Sequence, residues 1–475
     1  MCVDNRPIGC GQAQKTQNFQ SKTEPPRCCL PRHPSLHFKE RLTMKFIHAA
    51  DLHLDSPLRG LAAYPDAPVQ RLRTATREAF EQLVKVAVAE AVDFVVIAGD
   101  VYDGDWRDFN TGLFFIRQMG VLRQAGIPVF LLYGNHDAES EMTHSLTLPD
   151  NVYVFSARKA ETHRLPALQV ALHGRSFRQA ATTENLLPSY PPPVPGWLNI
   201  GVLHTALEGH TEHARYAPCS RTELQAMGYQ YWALGHVHER WVERGAVTLA
   251  YPGNLQGRHI REPGERGALL VTAEAGEIRQ VEPLALDVLR WQCLNLDISP
   301  LTDGQAVLRL VGQGLQQLLD DTPGQRPLAV RVVFQGCTAA YASWAGQAGR
   351  LRQEVIAQAL ALSADRIWIE KVRWDCQPLA VPRVGLVADD DEAQGALAAL
   401  ERLALSAPDD PAFVRSLQAD WQDVLNRLPH EVLQALPELS ALRQDLAAAL
   451  PERIRQATPL LLARLAQDAA SNPSA

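Results

Sequence analysis

Five apolar runs in the first half of the chain each end in residues that can hold a metal ion. They are FIHAADLH with Asp51 and His53, FVVIAGD with Asp100, VFLLYGNHD with Asn135, His136 and Asp137, NIGVLH with His204, and YWALGHVH with His236 and His238. Without His136 and Asp137 this is a set of two carboxylates, one amide and four imidazoles. Such a mixed nitrogen and oxygen set suits Mn²⁺, Fe²⁺ or Zn²⁺ and is too rich in nitrogen for Mg²⁺ or Ca²⁺ alone. It contains no thiolate, which disfavours a structural zinc site. A carboxylate has two oxygens, so one Asp, such as Asp100, can bridge two cations. Two cations ~3.5–4 Å apart would hold a bridging hydroxide and neutralise charge on a phosphate oxygen, which favours in-line attack on a phosphoester. His136 follows Asn135 and need not ligate; its expected role is to stabilise the transition state or protonate the leaving oxygen. Asp137 is expected to orient that ring.

The elements that must position these residues are legible in the same runs. Each is short and rich in Val, Ile, Phe or Tyr, as a buried strand is. In open α/β sheets ligands bind beyond the carboxyl ends of the strands, so five such ends would pool their chemistry in one place. Taken singly the signals are weak. A D-x-H or H-x-H at a strand end is usually a satisfied loop pair, and Gly-Asn is also a turn signal. The ordered joint occurrence of all five carries the inference. His48, His144, His163, His173, His210, His213 and His259 lack that context and read as surface or loop histidines.

Between the runs the pattern alternates strand and helix. Val69 to Val92 places Leu72, Ala79, Phe80, Leu83 and Ala87 on one apolar stripe, and Phe109 to Gln124 is a second amphipathic helix ended by Gly126 and Pro128. The stretch PSYPPPVPG, Pro188 to Gly196, is a loop. After GHVH the pattern becomes all strand and predicts a run of hairpins closing the sheet. Residues 288–380 follow a β-α-β-α-β order that predicts a small separate α/β unit. Residues 385–475 are helical, acidic and rich in Ala and Leu, and Pro408, Pro411, Pro429, Pro437 and Pro451 are expected to cut them into short helices.

At 475 residues the chain is too long for one core, and two to four domains are expected. A 46 % hydrophobic and 21 % charged composition is that of a soluble globular protein, with no apolar stretch of membrane-spanning length. The net charge of −7 excludes a polycation, so a nucleic-acid partner would need a local basic groove. Of eight Cys, four lie in the first 29 residues and the others are scattered singly, which fits a reducing compartment. Residues 1–43 lack a signal-peptide apolar region and read as a disordered or spurious extension ahead of Met44.

The five motifs resemble those of the calcineurin-like metallophosphoesterase superfamily: D-x-H, G-D-x-x-D, G-N-H-D, a lone His and G-H-x-H, in that order across residues 44 to about 260. The resemblance implies an α/β (α+β) fold, a four-layer β-sandwich flanked by helices, over residues 44–287. It implies Asp100 as the bridging ligand, with Asp51, His53 and His238 on one ion and Asn135, His204 and His236 on the other. The segments AADLHLDSPL, GDVYD, YGNHD and YPGNLQGR (Tyr251 to Arg258) are similar to the DNA repair nuclease branch typified by SbcD, the last to its YhaO-like group. That branch implies a Mn²⁺-dependent exonuclease and endonuclease on DNA ends, located in the cytoplasm, free of the membrane and able to form a homodimer. It further implies an SMC-like, AAA-type ATPase docked on residues 385–475, a capping domain at 288–380, and Asn254 and Arg258 as substrate-binding residues. A nuclease also calls for a basic rim, for which Arg59, Arg71, Arg107, Arg258 and Arg261 are candidates. The same metal chemistry would serve a small-molecule phosphatase or phosphodiesterase.

Overall fold

The structure is a computed structural model and describes residues 43–56, 69–103, 109–139, 147–207, 216–338, 340–344, 347–378, 392–428, 442 and 445–471. The expectations for residues 1–43, Arg59, Arg107, His144, His210 and His213 therefore lie, Thr43 apart, outside the described residues, as do Pro429 and Pro437. The side chains of Leu72 and Arg71 are likewise not described.

The first sheet starts with β1 (Thr43–Ala49), β2 (Phe94–Ala98), β3 (Val129–Leu132) and β4 (Val152–Val154), all parallel neighbours. The second is built from β5 (Glu161–Leu165), β6 (Val170–Gly174), β7 (Leu198–His204), β8 (Tyr231–Gly235), β9 (Trp241–Glu243) and β10 (Thr248–Tyr251), in the order β5-β6-β7-β8-β10-β9. The chain then returns to the first sheet as a hairpin, β11 (Gly267–Glu274) and β12 (Glu277–Ala285), giving the order β12-β11-β1-β2-β3-β4. The expected run of hairpins is thus corrected. β10 pairs in parallel with β8, and only β9–β10 and β11–β12 are antiparallel neighbours in that stretch.

Strands buried on both faces read as continuous apolar runs, not alternating ones, and β2, β3, β7 and β8 are buried at every residue. Between the sheets Phe46, Phe94, Val96 and Phe130 meet Leu172, Ile200, Val202 and Tyr231. On the outer face of the first sheet lie α1 (Val69–Ala89) and α2 (Phe109–Gln124), whose Phe80, Leu83, Phe115 and Met119 pack on Ile47, Val95, Ile97 and Leu131. Next in the chain come α3 (Asn135–Glu139), one short turn after β3, and α4 (Arg221–Ala226), opened by a Ser220–Glu223 capping box. Loops and α4 cover the outer face of the second sheet, with Leu224 against Trp232, Leu234 and Leu249. The layers are helix, sheet, sheet, helix and loop, the four-layer sandwich expected.

A third, parallel sheet follows, with β13 (Arg290–Asp297), β14 (Leu328–Thr338) and β15 (Ile367–Pro378) in that order. It is covered by α5 (Gly304–Asp320), α6 (Tyr341–Trp344) and α7 (Ala348–Leu362). Val307, Val311 and Leu315 of α5 meet alternate residues of β14, namely Val330, Val332 and Phe334. The C-terminal helices are α8 (Glu392–Ser406), α9 (Pro411–Arg427) and α10 (Leu446–Ser471). Pro408 and Pro411 sit at the α8–α9 break as expected, but Pro451 lies inside α10. The missing hydrogen bond falls near the helix start, where Leu446 and Leu450 pack against Leu425 of α9 and hold the turn in place. No helix among the described residues is long and apolar enough to cross a membrane.

Two of the histidines expected at the surface are buried. His48 on β1 sits between the sheets and bonds the Tyr231 hydroxyl at 3.0 Å and the Leu234 carbonyl at 3.1 Å. His173 on β6 bridges Thr162 and Asn199 at 2.8 and 3.0 Å. Each finds polar partners through the fold, His48 on β8 of the facing sheet and His173 on the neighbouring β5 and β7, which sequence spacing does not disclose.

Candidate metal centre

The carboxyl ends of β1, β2 and β3 in one sheet and β7 and β8 in the other meet at one edge of the sandwich. The turns after β1 and β2 run side by side, with Asp51 N donating to Gly99 O and His53 N to Asp100 O, both at 3.0 Å. The second sheet joins them where His236 N donates to both Asp51 carboxylate oxygens at 3.0 and 3.1 Å. His204 Nδ1 faces Ala98 O at 2.9 Å. Asp51, His53, Asp100 and His236 all have positive φ, between 41° and 98°. Non-glycine residues avoid that region, and such strain collects where surrounding structure and function demand it. Two glycines make the close approach possible. A Cβ at Gly134 would overlap Asp100 Oδ1, and one at Gly235 would overlap Ala98 O.

The seven candidate ligands fall into overlapping sets. Asp51, His53 and His238 present ligand atoms within 4.8 Å of one another, as do Asp100, His204 and His236, and also His53, Asp100 and His136. His53 Nε2 and His238 Nε2 are 3.2 Å apart, and His238 Nε2 is 3.8 Å from Asp51 Oδ1. Asp100 Oδ2 lies between the sets, 3.9 Å from His53 Nε2 and 3.4 Å from His204 Nε2. Asn135 Oδ1 is 3.0 Å from His204 Nε2, so the amide joins the second set.

The chemistry of this cluster fits a pair of divalent cations. Asp51, Asp100, His53 and His204 are all almost fully buried, where unpaired charge is costly. Two imidazole Nε2 atoms that face each other can share at most one proton, so at least one presents a lone pair. Burial raises the Asp51 carboxyl above its usual range. Burial would do the same to Asp100, but the charge and hydrogen bond of His204, with His53 and His136 beyond, draw it below the carboxylate range. Burial lowers His53 to about 3, helped by the Arg258 charge. His204 is opposed by burial yet is raised to about 9 by Asp100. Cations would replace the protons that now balance these groups.

His136 stands at the opening, its side chain 37 % exposed, and its backbone N–H donates to Asp100 Oδ1 at 3.0 Å. The expectation that Asp137 orients this ring is corrected. The Asp137 carboxylate is buried and turned to the backbone, accepting from Val101 N at 3.2 Å, Tyr102 N at 3.0 Å and Gly134 N at 3.0 Å. Burial, then the nearby Asp100 charge, raise it to about 7. The carboxylate beside the His136 ring is Asp103, whose Oδ1 lies 3.7 Å from His136 Nδ1 and 3.3 Å from His53 Nδ1.

Asn254 is corrected as well. It is fully buried, donating to Gln256 O and Glu262 Oε2 at 2.8 Å each and accepting from Arg266 at 3.3 Å, so its side chain is committed to building the loop. Arg258 does stand beside the cluster, but its guanidinium faces Glu262 at 3.0 Å and Asp103 at 3.7 Å, which already balance its charge. The segment is also anchored from below. Gln256 accepts from Val288 N and donates to Leu289 O, and Trp291 Nε1 donates to Gly257 O. Asp103 and Glu262 are the residues that sequence reasoning gave no role. Asp103 closes the GDVYD motif, so a signal existed; Glu262 lies in the charged loop HIREPGER with none.

Residues 44–240 match the family of calcineurin-like phosphoesterases, and residues 291–377 match the middle domain of metallophosphoesterase YhaO. The chain belongs to the calcineurin-like metallophosphoesterases. It is 35 % identical over 299 residues to metallophosphoesterase YhaO of Bacillus subtilis (strain 168), covering 62 % of this chain and 72 % of that protein. It is 25 % identical over 313 residues to the DNA double-strand break repair protein Mre11 of Aeropyrum pernix, covering 59 % of this chain and 70 % of the relative. The solved structure of TT1561 of Thermus thermophilus aligns over 49 % of this chain and 99 % of its own length, with 15 % identity and a TM-score of 0.30.

Proposed function

We propose that this metallophosphoesterase is a Mn²⁺-dependent phosphodiesterase of DNA, an exonuclease and endonuclease subunit that works with an SMC-like ATPase. The observation that carries the phosphodiester chemistry is the position of Asp100, held between two sets of donors with His136 at the open side. When bound, a pair of divalent cations lowers the pKa of water and neutralises charge on the phosphate. The chain's own residues do the rest. Asp51, His53, Asp100 and His238 would hold one cation, and Asp100, Asn135, His204 and His236 the other. His136, the half-exposed imidazole of the cluster, protonates the leaving oxygen. Asp103 Oδ1 lies 3.7 Å from Nδ1 of that ring, near enough to balance positive charge on it while the proton to be donated sits on Nε2.

The DNA assignment rests on the likeness to Mre11 proteins, which are named for double-strand break repair. Arg261 is exposed on the loop beyond Arg258 and would supply part of a basic rim. The ATPase reading, with which a cytoplasmic location and a homodimer go together, is supported by apolar side chains left exposed on the helices as a docking surface. Leu403, Phe413 and Trp421 lie on α8 and α9, and Phe109 and Leu113 on α2.

The test is incubation of the chelator-stripped protein with blunt duplex DNA, with and without Mn²⁺. Nucleotide release that needs Mn²⁺ and disappears in the His136→Ala variant supports the proposal. Rapid turnover of a nitrophenyl monoester with DNA left intact, even with a partner ATPase added, would reassign the site to a small-molecule phosphatase.

A further inference from the structure

We infer that Glu262 is the positioning residue that decides which nitrogen of His238 faces the cluster, and so completes the Asp51–His53–His238 subsite. The inference rests on the two-cation reading and deepens it.

Glu262 Oε1 lies 2.8 Å from His238 Nδ1. An ionised carboxylate only accepts hydrogen bonds. If Nδ1 carried a lone pair, two acceptors would be forced together at that distance in a buried place. The Nδ1–H tautomer is therefore the one the contact selects, and it leaves the Nε2 lone pair aimed at Asp51 and His53. Arg258 Nη2 competes, since at 3.1 Å it could donate to a lone pair on His238 Nδ1. The shorter, charge-assisted contact with Glu262 decides for Nδ1–H, and Arg258 Nη2 can donate to the same Oε1 at 3.0 Å instead.

The carboxylate cannot swing away. Its other oxygen accepts from Asn254 Nδ2 and Arg258 N, both at 2.8 Å. The same loop holds the His238 backbone, whose carbonyl accepts from Asn254 N at 3.2 Å and from Arg266 Nη1. Backbone and ring are thus fixed from one side by the segment Asn254–Arg266. The second subsite is built differently, because His204 Nδ1 faces a neutral carbonyl, Ala98 O. An imidazole backed by a carboxylate is the more basic donor, and loss of such a partner typically weakens metal binding about 10–100-fold. Glu262 should therefore matter to one subsite and not to the other.

The experiment titrates Mn²⁺ into chelator-stripped full-length protein by calorimetry and, in parallel, reads imidazole ¹⁵N shifts of the metal-free protein, with His238 assigned by its loss in His238→Gln. Wild type should bind two ions and show His238 as the Nδ1–H tautomer. In Glu262→Ala one ion should bind about 10–100-fold more weakly, the other unchanged, and the His238 signal should become a tautomer mixture. Glu262→Gln keeps an acceptor oxygen and should recover much of the affinity; if the Ala variant does not fold, the Gln variant should still show a selective loss at one ion. An Nε2–H tautomer in wild type, wild-type affinity for both ions in the variants, or an equal loss at both ions would overturn the inference. Fewer than two ions in wild type would instead refute the two-cation reading, and the ¹⁵N result would still judge Glu262.

Discussion

Asp100 touches every part of the cluster: one oxygen lies between His53 and His204, and the other takes the backbone N–H of His136. Its removal should therefore be felt by both cations. Asp100→Ala is expected to lose metal and activity together, read by elemental analysis of the purified protein; full metal content in that variant would refute a bridging role. His136→Ala should keep both metals and lose rate by about 10²–10⁴-fold, the usual contribution of a general acid. At this scale the sequence was legible where a donor closes an apolar run. It was silent where support comes from across the fold. Asp137 and Asn254 looked like site residues because they lie within motifs, yet backbone amides and a buried loop claim their side chains. Glu262 lies outside the quoted motifs, four residues beyond Arg258, and reaches His238 only through the folded loop.

The strands and helices carry a different lesson. The five motif strands and both helices on the first sheet were readable because burial on both faces demands unbroken apolar runs and burial on one face demands a stripe. What spacing could not give was the sheet each later strand would join, since β10 and β11 are close in sequence and lie in different sheets. Two predictions belong here. Asp137 fastens the turns after β2 and β3 through three backbone amides, so Asp137→Ala should cost about 2–4 kcal/mol in denaturant unfolding. His48, lowered by burial from 6.5 to about 3, couples stability to pH. As pH falls below about 6.5 the unfolded chain takes up a proton that the folded chain refuses, so stability is complete above that value and drains away towards pH 3, by up to about 1.4 kcal/mol per pH unit. A His48→Leu variant should be less stable at pH 7, because the Tyr231 hydroxyl and the Leu234 carbonyl lose their partner, and should show a flatter acid slope in the same titration.

For the molecule as a whole, the site is the seam of the sandwich, because each sheet supplies only part of the donors. Ions bound there would hold the two halves of the fold in one arrangement and, since the donors converge only in the folded chain, would favour that state. Stripping them with a chelator should lower the melting temperature. Ions at about 100 times their dissociation constant contribute about 2.7 kcal/mol per independent site. Asp100→Ala should melt at one temperature with or without chelator, and a chelator effect in that variant would place the metal elsewhere. The net charge of −7 sets a second expectation at this scale. Any DNA engagement must come from a local basic surface, so association should be slow compared with a polycationic binder and should weaken further as salt rises.

Gly134 and Gly235 have no side chain to offer a metal, yet they leave the room in which Asp100 and the backbone of β2 sit. A methyl group at either place would push on the central carboxylate or on the Ala98 carbonyl two residues before it. Among naturally occurring variants, a change from glycine to alanine there would pass as benign to any scoring by chemical similarity. It should nonetheless disturb the centre while every candidate ligand remained in the sequence.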